Sequence, residues 1–207
     1  PVRNSGQGGV YVYECNAGGS NNWGEAVILA PPDPANGDNF GRSVSVAGDV
    51  IVAGAPAKNG SQGAAYIFER NAGGTNAWGF VIKLIPPGAV EPESFGISVA
   101  ADGDVVLVGA QSKTTFRGVA YVYERNAGGT NNWGLVKTLS ASDAAGGDFF
   151  GYSAGLSGDV AVLGAYRKSS TQGAAYVYER NAGGTNGWGQ VRKLVASDPV
   201  AADFFGR

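Results

Sequence analysis

Residues 40–94 read FGRSVSVAGDVIVAGAPAKNGSQGAAYIFERNAGGTNAWGFVIKLIPPGAVEPES. FGRSVSVAGD (40–49) alternates apolar and polar residues and ends in a Gly-Asp turn, which predicts a first strand. VIVAGA (50–55) is continuously apolar, as a strand covered on both faces requires. PAKNGSQ (56–62) is a polar loop. GAAYIFER (63–70), rich in aromatic and β-branched residues, predicts a third strand. NAGGTNAW (71–78) is a turn cluster. GFVIKLI (79–85) mixes apolar residues with Lys83, as expected of an outer fourth strand. PPGAVEPES (86–94) is a loop, because its prolines exclude helix or central strand.

The same unit recurs without insertion or deletion. Trp23, Trp78, Trp133 and Trp188 keep one spacing, and so do Tyr11, Tyr66, Tyr121 and Tyr176, and Phe40, Phe95, Phe150 and Phe205. No stretch sustains a 3.6-residue period. Four short strands in a 55-residue repeat predict an all-β chain, a β-propeller of four-stranded antiparallel blades. One unit cannot bury both faces of its sheet, so units stack side by side. The units phase at 1–39 (partial), 40–94, 95–149, 150–204 and 205–207, within a single domain over 1–207. About four blades are expected, in register as an excerpt from a larger ring.

Composition narrows the function classes. Glycine is 35 of 207 residues, far above the usual share of roughly 7%, which suits many tight turns. A net charge of -2 gives no electrostatic basis for nucleic acid or an anionic membrane surface. There is no run of apolar residues of transmembrane length. The chain has no His and a single Cys, Cys15. That removes Ser-His-Asp and Cys-His catalysis and His- or Cys-rich metal sites. The Gly-Gly pairs lie between strands, not before a helix, so no phosphate cradle is implied. No enzymatic activity is expected.

Phe-Gly at 40–41, 95–96, 150–151 and 205–206, followed by Gly-Ala-Pro or variants at 54–56, 109–111 and 164–166, resembles the FG-GAP repeat. That repeat builds the N-terminal propeller of integrin α chains and many bacterial surface proteins. The resemblance covers the whole chain, although only Pro56 keeps the proline, with Gln111 and Tyr166 at the later equivalents. It implies a seven-bladed ring and an extracellular or cell-surface location. Integrin propellers hold calcium in a longer loop between strands 1 and 2. The matching AGD (47–49), DGD (102–104) and SGD (157–159) are too short for it.

Most carboxylates repeat with the blade, and a catalytic site is needed only once. Glu14, Glu69, Glu124 and Glu179, beside Arg70, Arg125 and Arg180, read as a structural rim. Asp49, Asp104 and Asp159 read as hairpin-turn residues. A third set forms Asp-x4-Asp before the Phe-Gly: Asp33 and Asp38, Asp143 and Asp148, Asp198 and Asp203. Gly88 and Glu93, with Glu91 nearby, replace it in one unit. Such oxygen-rich loops are able to hold Ca2+; Asx turns that pin the loop are the alternative. Cys15 stands where other units have Arg and reads as a free thiol.

In an up-and-down blade, loops 2–3 and 4–1 emerge on one face and carry the variation between units. Function resides preferentially in loops on a rigid scaffold. The 2–3 loops are basic, with Arg3 and Arg117 among their residues. A binding surface is therefore expected there, anchored by Lys58, Lys113, Phe116, Arg117, Tyr166, Arg167 and Lys168. Integrin ligands use the corresponding face, which the resemblance adds as analogy. The expected partner is a protein or glycan, with self-association as a further mode. Two other roles fit the same sequence: a structural subunit of a surface array or filament, and the accessory propeller of a larger secreted enzyme.

Overall fold

The computed structural model describes residues 6–88 and 92–207. Fourteen strands form one two-stranded and three four-stranded antiparallel sheets, each in simple sequential order. The first sheet is β1 (Val10–Cys15) and β2 (Trp23–Leu29). The second is β3 (Ser43–Ala47), β4 (Val50–Ala55), β5 (Ala64–Arg70) and β6 (Trp78–Leu84). The third is β7 (Phe95–Asp102), β8 (Val105–Ala110), β9 (Val119–Arg125) and β10 (Trp133–Leu139). The fourth is β11 (Phe150–Ser157), β12 (Val160–Ala165), β13 (Ala174–Glu179) and β14 (Gly189–Leu194). All-β, four-strand units of this kind are consistent with propeller blades. Among the described residues no strand pairing closes the first sheet onto the last.

The apolar run of β4 is explained by its two coverings. Ile51 and Ala53 pack into a core with Val10, Phe40 and Trp78. Val50 and Val52, on the opposite face, pack with Phe95, Val106 and Tyr121 of the next sheet. The third and fourth sheets meet in the same way through Leu107, Val122, Leu163 and Tyr176. Each core is sealed by an edge-on or tilted aromatic pair, Phe40–Tyr66, Phe95–Tyr121 and Phe150–Tyr176, with centroids 5.5, 5.4 and 5.6 Å apart.

The Phe-Gly and Gly-Ala elements are two sides of one contact between successive sheets. A Cβ on Gly54 would lie 1.9 Å from the carbonyl oxygen of Gly96, and one on Gly109 would lie 2.0 Å from that of Gly151. Only glycine admits so close an approach. The same carbonyls accept hydrogen bonds from Ser43 Oγ at 2.8 Å and Ser98 Oγ at 2.7 Å. At the opposite end of the sheets a carboxylate crosses to the next unit. Glu14 accepts from Arg70 and from Trp78 Nε1 at 2.7 and 2.9 Å; Glu69 does the same with Arg125 and Trp133 at 2.7 and 3.0 Å. The rim expected from sequence is thus a link between sheets.

Candidate functional site

The loops after β4, β8 and β12 share an unusual local form. In each, three consecutive residues have left-handed dihedrals: Asn59, Gly60 and Ser61; Thr114, Thr115 and Phe116; Ser169, Ser170 and Thr171. Left-handed turns are costly for residues with a Cβ, and β-branched or bulky residues there are rare. Here the turn aims its carbonyls at the linker entering the next sheet. Ser94 N–H donates to Ser61 O at 2.8 Å, Phe149 N–H to Phe116 O at 2.9 Å, and Phe204 N–H to Thr171 O at 3.0 Å. Loops 2–3 and 4–1 are thereby bound into one surface.

Each turn opens with a lysine, and these lysines are a correction to the sequence reading. Lys58 donates to Asp38 Oδ2 at 2.8 Å and to the Asp33 carbonyl, and only 5% of its side chain is exposed. Lys168 repeats this with Asp148, at 2.8 Å, and Asp143. Lys113 pairs with Glu93, whose side chain is 1% exposed. Lys58, Lys113 and Lys168 are therefore joints between loops, not free anchors for a ligand. The Lys58 and Lys168 ammoniums are buried with their carboxylates, and Lys113, more exposed, is tied to the buried Glu93.

The Asp-x4-Asp residues are engaged by the same network. Asp33 accepts from Tyr66 and Lys83 at 2.8 Å each, and Asp143 from Tyr176 and Lys193 at 2.7 Å each. Burial works to raise the Asp143 carboxyl, but the hydrogen bonds and lysine charges outweigh it and hold it at about 2. Burial and then the Asp143 carboxylate push the Tyr176 phenol up. Asp38, Asp148 and Asp203 also close a short turn, accepting from Ala35, Ala145 and Val200 N–H at 2.8, 2.7 and 2.7 Å. Asp198 and Asp203 are exposed. At Asp33/Asp38 and at Asp143/Asp148 the geometry places a lysine ammonium where a calcium reading put the cation. Among the described residues no three acidic side chains converge as a metal site would need. Glu91 and Arg3 lie outside the described residues.

The remaining predicted residues do assemble. Phe116 stacks on Phe149 with centroids 5.0 Å apart and planes at 25°. Phe149 meets Tyr166 at 5.4 Å, and Tyr166 meets Tyr152 at 4.5 Å and Phe204 at 5.9 Å. The Arg167 guanidinium lies 5.0 Å from the Phe149 ring centre and 5.8 Å from that of Tyr166. Arg117 is exposed beside Phe116, which is itself 46% exposed. Loops from successive units thus build one aromatic cluster with arginines at its surface.

Phe149, Tyr152 and Phe204 were not among the residues expected from sequence. Their signal lies in the columns of the repeat. Phe149 and Phe204 stand where Asn39 and Ser94 stand elsewhere, and Tyr152 where Arg42 and Ile97 do. Phe149 and Phe204 have φ of 58° and 52°, a conformation that Asn tolerates and Phe does not favour. Strain of this kind concentrates at functional positions.

The family model for the FG-GAP repeat matches residues 23–68, 78–123 and 133–178, more than half of the chain. The chain belongs to the FG-GAP repeat family. No curated protein matches this FG-GAP repeat chain. Among its described residues no helix is long and apolar enough to cross a membrane.

Proposed function

We propose that this chain is a non-catalytic binding module of the cell surface or extracellular space, taking a protein or glycan on the face built by loops 2–3 and 4–1. One observation carries the reading. Phe116, Phe149, Tyr152, Tyr166 and Phe204 occupy columns that hold no other aromatic residue, yet they converge on a single patch. A scaffold role would recur in every unit; this cluster does not. The absence of His and the engagement of the repeated carboxylates by Arg and Lys support a role without catalysis. The test is a screen of immobilised chain against protein extracts and glycans, with Phe116→Ala/Tyr166→Ala in parallel. Loss of the captured partner with retained folding supports the face. Undiminished capture by the variant rejects it.

A further inference from the structure

We infer that the ligand of the aromatic face is an acidic protein segment carrying an apolar side chain between its carboxylates. This rests on the loop-face reading above and deepens it.

Arginines stack on aromatic rings at two kinds of place in this chain, and only one kind is neutralised. Arg70, Arg125 and Arg180 lie over Trp78, Trp133 and Trp188, and each is held by two carboxylates. Arg167 lies over Phe149 and Tyr166, Arg207 lies 5.9 Å from the Phe204 ring centre, and Arg117 adjoins Phe116. Among the described residues no carboxylate is within ion-pair distance of these three. Two carboxylates of these loops are already engaged, Asp148 by Lys168 and Glu93 by Lys113 and Tyr121, while Asp203 beside Phe204 is exposed and accepts from Val200 N–H. Around Phe116, Phe149 and Tyr166 the face is therefore a cationic patch on a chain whose net charge is -2. Its complement is an anion, and a carboxylate meets the guanidinium fork through two parallel N–H donors.

The shape of the cluster separates a peptide from an acidic sugar polymer. Phe149 is stacked on Phe116 and carries Arg167 over its ring, and Tyr166 is hemmed by tilted neighbours. One phenyl, Phe116, projects; there is no row of open parallel faces for successive sugar rings. A single side chain of a peptide fits beside it. Tyr, Phe and Arg in a preset surface are the composition of protein hot spots, and the backbone bonds to the left-handed turns lower the ordering cost on binding.

The experiment is selection of a phage-displayed random peptide library on the immobilised chain, with Arg117→Gln/Arg167→Gln and Phe116→Ala/Tyr166→Ala as counter-targets of confirmed fold. Enriched peptides and polygalacturonate are then titrated at low and high salt. The expected peptides are acidic around one apolar residue. They bind the unsubstituted chain roughly ten-fold or more tighter than the double arginine variant, and weaken as salt rises. Neutral or basic winners, affinity indifferent to the arginine substitutions, binding of polygalacturonate without any peptide, or no binder of either kind overturns the acidic-segment inference and leaves the loop face in place. Acidic peptides that hold both variants as tightly as the unsubstituted chain would sink the loop-face reading itself.

Discussion

The Lys58 ammonium rests 2.8 Å from Asp38 Oδ2, with the two side chains 5% and 6% exposed. The pair joins a loop of one unit to the linker that enters it; removing Lys58 strands the buried Asp38 carboxylate, and removing Asp38 leaves Lys58 only the more distant Asp33 carboxylate, at 3.5 Å. Lys58→Met or Asp38→Leu is expected to cost about 3–5 kcal/mol, and the double replacement much less than the sum. Urea unfolding of the three variants measures it. Additive losses would show that the two groups do not interact.

Acid should act on the same network through Asp143. Its carboxyl is held at about 2 in the folded chain, against about 3.9 when unfolded. A lowered folded value adds stability that is complete above the unfolded value and is lost as pH falls towards the folded one. The stability profile should therefore drop between about pH 4 and about pH 2. Asp143→Asn should be less stable at neutral pH, flatter across that window, and converge with the unsubstituted chain near its acid end. Urea midpoints taken across pH give both curves.

Two glycines of neighbouring sheets separate close approach from mere flexibility. Gly109→Ala would press a methyl group to 2.0 Å from the Gly151 carbonyl and should cost about 3 kcal/mol or more. Gly155, in β11, has no heavy atom within 4 Å of its missing Cβ. Gly155→Ala should be neutral or stabilising by up to about 1 kcal/mol. Thermal unfolding of both variants decides, and equal effects would contradict the packing described.

Phe149→Asn installs the residue that Asn39 provides in an earlier unit. It relieves a left-handed phenylalanine but removes the ring between Phe116 and Tyr166. Stability should stay within about 1 kcal/mol of the unsubstituted chain, while ligand capture on the loop face is lost. A variant that unfolds readily would assign Phe149 to the scaffold.

The strands were legible because their signals are local. VIVAGA could only lie between two coverings, and the Tyr and Trp columns marked the outer strands. The Asp residues mislead because their partners sit in the following unit. Asp33 with Lys83 and Asp143 with Lys193 change together to Gly88 with Thr138, so a comparison of columns holds the trace of the pairing. The lysines look free in the sequence because a basic loop gives no sign that it turns back onto an acidic linker. Phe116, Arg117, Tyr166 and Arg167 were found by their departure from the repeat. Phe149 and Phe204 stand directly before a Phe-Gly and are hidden by it, so that only the aligned columns of the repeat set them apart.

The units of 40–94 and 95–149 each reach forward with a glutamate and backward with an arginine, as Glu69 does towards Arg125 and Arg70 towards Glu14. Every complete unit thus carries one half of two joints, and the halves match. A gene segment copied in tandem would find both partners waiting, so the array is able to lengthen or shorten by whole units without stranding a charge at the seam.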